Sequence, residues 1–142
     1  MLNLVRTAHV VLDAAETALR AEGLSFAQYN VLRILRGAGE AGLGRNEIRD
    51  RLLSRMPDVT RLLDRMEAAG LVRRSRGDAD RRRAPTTLTG RGRDLVDALD
   101  GPVAALNRRL FAPLGAARLR DLAEALTLVR AAAPETPPEE AP

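Results

Sequence analysis

No cysteine occurs among the 142 residues, which excludes disulfides, thiolate metal sites and a thiol-based redox sensor. Lysine is absent too: all 23 basic residues are Arg, set against 19 acids. Aromatic side chains are limited to Phe26, Tyr29 and Phe111, too few to read single strands or RNA by base stacking. His9 is the only histidine, and no Ser/His/Asp or paired-acid spacing surrounds it, so nothing supports a catalytic residue. No window approaches ~18 uninterrupted apolar residues, which excludes a membrane helix. Residues 2–12 are broken by Arg6 and His9 and precede no small-residue cleavage site, so a cytoplasmic protein without a secretory leader is expected. No internal repeat is visible.

What is present is a balanced chain, 45% hydrophobic and 30% charged, of a length that suits one soluble core. Such a core buries about 68% of the surface of the unfolded chain. The net charge of +4 is unevenly spread. Residues 1–44 hold four Arg and four acids, residues 45–83 twelve Arg and seven acids, and residues 84–142 seven Arg and eight acids. A high-GC genome accounts for Arg replacing Lys throughout. It does not account for the clustering, which is what a basic face meeting a polyanion requires.

Hydrophobic spacing predicts a helix over residues 3–22, with an apolar arc from Leu4, Val5, Ala8, Val11, Leu12 and Leu19 that Val10 widens. So wide an arc exceeds what a surface helix needs, and part of it is expected to face a second chain. Gly23 ends this helix. Ser25 and Gln28 form a capping-box pattern for a second helix carrying Phe26, Tyr29, Val31, Leu32 and Leu35. Gly37, Gly39, Gly42 and Gly44 then read as a loop in which Leu43 makes one short strand contact; they lack the flanking strand and helix of a nucleotide-binding loop. A third, short helix fits 46–53, with Ile48, Leu52 and Leu53 inward.

Pro57 and Asp58 suit the first turn of a fourth helix, which Gly70 closes. Two short helices joined by about three residues, the second amphipathic, make a helix-turn-helix. Residues 71–75 and 84–88 read as two strands of a hairpin with a basic tip, a wing, in which Pro85 costs a ladder bond that an edge strand tolerates. Thr89 caps a fifth helix whose first turn is weakened by Gly90 and Gly92, and Gly101-Pro102 kinks it without ending it. A last helix fits 116–132. The tail over 134–142, with four Pro and three Glu, is expected to be disordered.

On the fourth helix Val59, Leu62, Leu63 and Met66 share one arc, and Thr60, Arg61, Asp64 and Arg65 project from the other side. Hydroxyl and guanidinium groups on an exposed face can enter a major groove, where Arg bonds guanine bidentately. A solvated face tuned by Arg61–Asp64 and Asp58–Arg65 pairs is the plain alternative. The tip favours the first reading, because Arg81, Arg82 and Arg83 repel one another unless an anion is near, and narrow minor grooves attract Arg. Asp78 and Asp80 read as ion-pair partners of that tip, with Asp80 orienting Arg82, and not as a catalytic carboxylate pair.

These residues carry a family resemblance. Gly70-Leu71-Val72, Asp80-Arg81-Arg82, then Leu88-Thr89 and Gly92 resemble the wing signature of the MarR (multiple antibiotic resistance regulator) family. The stretch from Pro57 through Glu67 resembles that family's recognition helix, and Gly23-Leu24-Ser25 with Gln28-Tyr29 the start of its second helix. The matched segment, 23–92, is half the chain. The resemblance implies a mainly α fold with a small β-wing, a winged helix-turn-helix over 25–89. Helices of 1–24 and 90–133 would form a dimerisation region. It implies a homodimer on double-stranded DNA with a pseudo-palindromic operator, one fourth helix in the major groove and one wing in the minor groove of each half-site.

Carried over by position, Thr60, Arg61 and Arg65 are candidate major-groove or adjacent phosphate contacts, and Arg82, supported by Asp80, is the minor-groove candidate. Arg81, Arg83 and Arg55 are candidate phosphate contacts, and Ser54 a weaker one. Pro85 and Thr86 depart from the family's branched aliphatics in the second wing strand. Without cysteine, the family's peroxide sensors are no guide, and one histidine does not suit its zinc-responsive members, so neither metal nor cofactor is expected.

The resulting expectation is a sequence-specific transcriptional regulator, a repressor relieved by a small-molecule effector that the sequence does not identify. Leu12, Ala15, Tyr29 and Leu32 are candidates to line an effector pocket, although core packing explains them better. A module of the same fold that has lost DNA binding is the alternative, disfavoured because Thr60, Arg61 and Arg65 are all present. A hydrolase or transferase lacks a nucleophile–base arrangement.

Overall fold

A computed structural model describes residues 1–53, 58–75 and 85–132. Helix α1 (Leu2–Arg20) ends where Leu24 N–H returns to the Leu19 carbonyl across Gly23, whose φ of 70° needs glycine. Helix α2 (Phe26–Ala38) starts on the expected capping box: the Ser25 hydroxyl takes the Gln28 N–H at 3.2 Å, and the Gln28 side chain takes the Ser25 N–H at 2.9 Å. Glu16 of α1 adds a third contact there by accepting the Phe26 N–H at 2.9 Å. Gly37 falls inside α2, so the glycine-rich loop begins later than expected, as a single turn over Gly39–Ala41. Helix α3 (Arg45–Arg51) and helix α4 (Val59–Ala68) come next.

Strands β1 (Val72–Arg74) and β2 (Thr86–Leu88) pair antiparallel, Val72 opposite Leu88 and Arg74 opposite Thr86. Leu43 makes the predicted short strand contact, exchanging two backbone hydrogen bonds with Thr86 at 3.1 and 2.9 Å. Pro85 lies just before β2, where its carbonyl accepts the Ser75 N–H at 3.1 Å, so its missing donor costs the ladder nothing. Helix α5 (Gly90–Ala98) is separated from α6 (Asp100–Phe111) by Leu99 alone, with Leu99 N–H to Leu95 and Val103 N–H to Leu99 bonds carried across the break. A turn over Ala112–Leu114 leads into α7 (Gly115–Ala131).

The chain divides into two compact units, one up to Leu106 and one from Asn107 onward. The first holds the core. Val31, Leu32, Leu35, Ile48, Leu62, Leu63, Met66, Val72 and Val96 are buried, contributed by α2, α3, α4, β1 and α5. Burying one such side chain is worth ~1.5–3 kcal/mol. Leu53, expected inward, is 73% exposed: α3 stops at Arg51, Leu52 turns extended, and the helical face is lost before Leu53. Tyr29 and Leu32 belong to the core, whereas Leu12 is exposed. Burial pushes the Tyr29 hydroxyl above its ordinary value, against Arg33, whose guanidinium lies 5.8 Å from the ring centroid. In the second unit α7 buries none of its residues.

Two contacts fix α5 to the elements before it. Arg36 of α2 bonds Asp97 at 2.8 Å and Asp100 at 2.9 and 3.0 Å, across the α5–α6 break. The Arg36 hydrogen bond holds the Asp100 carboxyl below its ordinary range. A Cβ on Gly92 would run into the Leu71 carbonyl oxygen. The glycine that weakens the first turn of α5 is therefore what allows α5 to close on the start of the hairpin.

Candidate nucleic-acid interface

Helix α4 is built to be held from one side. Val59, Leu62, Leu63 and Met66 are at most 5% exposed, so its apolar arc is wholly used in the core. Asp58 is the N-cap and not a first-turn residue: one carboxylate oxygen takes the Arg61 N–H at 2.9 Å. Its other oxygen pairs with Arg61 Nε at 2.9 Å. Thr60, Arg61, Asp64 and Arg65 are exposed on the far face, as the periodicity predicts.

The ion pairs differ from those expected of a solvated face. Asp58 pairs with Arg61, three residues on, and Asp64 with Arg74 of β1. Arg74 also bonds Glu67 at 2.8 Å, while Glu67 accepts the Arg74 N–H at 2.9 Å. Burial draws the Arg74 guanidinium down, but Asp64 and Glu67 outweigh it and leave it above its ordinary value. The two acids of α4 are thus occupied by the wing strand and do not offset Arg65, whereas Arg61 shares its charge with the N-cap Asp58. At the other end of the hairpin, Thr89 donates to the Gly70 carbonyl at 2.7 Å, receives the Gly92 N–H at 3.0 Å and caps α5. Helix α4, the hairpin and α5 are cross-linked at its base.

Of the candidate residues, Thr60, Arg61 and Arg65 lie together on α4. Ser54 and Arg55, which precede α4, and Asp80, Arg81, Arg82 and Arg83, which fall between β1 and β2, lie outside the described residues. One residue that sequence reasoning passes over joins the face: Arg45, at the start of α3, donates to the Thr60 hydroxyl at 3.3 Å. Its signal is an arginine in the first turn of a helix, where the macrodipole disfavours a cation. Among the described residues no group of three His, Asp or Glu side chains is placed to hold a metal, and no helix is long and apolar enough to cross a membrane.

Residues 22–83 match the MarR family. The HTH-type transcriptional regulator TtmR of Methylorubrum extorquens (strain PA1) is 39% identical over 93 residues. That match takes in 66% of this chain, and the chain spans only 47% of the relative's length. Among solved structures, a MarR transcription factor from Planctomyces limnophilus is 35% identical, with a TM-score of 0.71 over 89% of this chain and 92% of its own. The MepR–DNA complex of S. aureus superimposes with a TM-score of 0.82 at 25% identity, covering 94% and 98% of the two chains.

Proposed function

The chain belongs to the MarR family of transcriptional regulators, and from that starting point we propose that it is a cytoplasmic, homodimeric repressor that binds a pseudo-palindromic operator in double-stranded DNA and is released by a small-molecule effector. The observation that carries the DNA reading is the face of α4. A capped helix, anchored by four core residues, holds Thr60, Arg61 and Arg65 outward while its acids Asp64 and Glu67 are engaged by Arg74 and the N-cap Asp58 braces Arg61. The similar fold of the MepR–DNA complex adds to it.

In this reading α4 lies in the major groove, wide enough at ~12 Å to admit a helix. Thr60, Arg61 and Arg65 meet base edges or the adjoining phosphates. Between β1 and β2, Arg82 enters the minor groove with Asp80 steering it, and Arg81 and Arg83 meet phosphates, as do Arg55 and Ser54 before α4. The homodimer is supported by α1, whose Leu2, Leu4, Val5, Val10 and Leu12 are 40–73% exposed. A two-fold axis then places two α4 helices about 34 Å apart on one side of the duplex. An effector releases the DNA only by binding the free arrangement better than the bound one.

The test is duplex selection from a randomised DNA pool, with a salt titration on the selected site. If six to ten phosphates are met per dimer, affinity falls about 10³–10⁵-fold between 50 and 200 mM salt. Affinity that is flat with salt, or a pool that yields no preferred sequence, overturns the proposal.

A further inference from the structure

The charge of Arg45 sits where a helix least favours it. Arg45 opens α3 directly after the N-cap Gly44, at the positive end of the macrodipole. Glu47, the acid of that turn, is bound to the Gly44 N–H at 2.8 Å. The Arg45 guanidinium reaches across to α4 and donates to Thr60 Oγ1 at 3.3 Å. A guanidinium has donors only, whereas a hydroxyl has one hydrogen and two lone pairs. The contact therefore takes a lone pair of Thr60 and turns its hydrogen away from Arg45. Thr60 is exposed on the face it shares with Arg61 and Arg65.

We propose that Arg45 is a positioning residue for sequence reading, fixing Thr60 as a hydrogen-bond donor to an acceptor on a base edge. The inference rests on the DNA-binding reading of α4. An unrestrained threonine hydroxyl rotates, and it meets acceptors and donors alike. Held by Arg45, which takes one of its two lone pairs, the hydroxyl directs its hydrogen to guanine O6 or N7, adenine N7 or thymine O4 and is a poorer acceptor for the amino groups of adenine and cytosine. Arg45 thereby contributes specificity from α3 without itself touching a base, and the cation's unfavourable place in the helix is explained by the contact it makes.

The experiment compares wild type, T60V, R45M, R45K and the T60V/R45M double variant on single-base variants of the duplex that wild type selects from a randomised pool. The expected result is that T60V loses about tenfold discrimination at one base pair per half-site. R45M, which has no donor, loses it at the same base pair, the double variant loses no more, and R45K, which keeps a donor, retains part. A uniform loss of affinity on every duplex, with a shallower salt dependence and intact base preference, makes Arg45 a phosphate contact and overturns the proposal. Additive losses at different base pairs overturn it as well. A wild-type protein that selects no sequence overturns the underlying reading instead, and that outcome is seen before any variant is compared. Thermal melting of each variant separates these outcomes from misfolding.

Discussion

Helices α4 and α1 carry the same kind of amphipathic pattern and meet opposite fates. Helix α4 buries its whole apolar arc and exposes a polar face, whereas α1 buries Leu19 alone and leaves Leu2, Leu4, Val5, Val10 and Leu12 exposed. The difference lies in what surrounds each stripe. Helix α4 is closed on by α3 and β1 within one core, so its burial is complete inside the chain and its exposed chemistry is the polar side. The stripe of α1 is satisfied by its own chain only near Leu19, so its exposed chemistry is apolar. An apolar run of that size on a charged chain marks an interaction surface. One helix faces DNA in the proposed reading and the other faces a second copy.

Substitutions can break that contrast from either side. The largest effect is expected at Leu62, 1% exposed in the core face of α4: Leu62→Ala lowers unfolding free energy by about 2–5 kcal/mol in urea denaturation, and DNA binding falls with it. A loss below about 1 kcal/mol would mean that the core around α4 is looser than its burial says. On α1, L4D with V10D leaves that core untouched and weakens the dimer about a hundredfold or more by sedimentation equilibrium, since each buried apolar side chain is worth ~1.5–3 kcal/mol. Unchanged association would remove α1 from the dimer interface.

Arg65→Ala separates reading from folding on α4 itself. Its melting temperature stays within a few degrees of wild type, while operator affinity drops by about 1–3 kcal/mol per subunit if Arg65 meets a base. Equal binding would place Arg65 among the solvated charges. The smallest effect is a pH dependence at Asp100. Its carboxyl is held below the ordinary range by Arg36, so the contact contributes stability above the unfolded value that is lost as pH falls through the folded one. Asp100→Asn therefore melts lower than wild type at neutral pH, and the gap closes below about pH 4. A gap that persists into acid would show that the Asp100 charge is not its source.

The local grammar of the fold is readable in advance. The Ser25–Gln28 capping box, the Thr89 cap, the turn at Gly23 and the buried arc of α4 each depend on residues three or four apart, a spacing the sequence displays directly. The bridge of Leu43 to Thr86 is half visible: a lone apolar residue between glycines needs a partner, but nothing local names it. The excess width of the apolar arc on α1 shows in its spacing, and most of that arc stays exposed in the folded chain. Leu53 escapes such reasoning because helical spacing carries on through the point where Leu52 turns extended. Of the candidate site, the α4 face is legible from periodicity, whereas Arg45 belongs to it only through a contact between two helices.

Propensity, capping and periodicity act over one or two turns, so most elements, the buried face of α4 and the family signature were written in the linear chain, whereas the break at Leu99, where one kinked helix was expected, and the outward turn of Leu53 were not. Which charges meet was settled only by folding. Asp64 pairs with Arg74 and not with Arg61 nearby, Arg36 reaches Asp97 and Asp100 more than sixty residues away, and Arg45 finds Thr60. Gly92 likewise turned from a weak helix start into a close approach to Leu71. A flexible charged side chain has many partners of equal chemistry along the chain, and the choice among them comes from the packing of apolar faces that brings one of them into hydrogen-bonding reach.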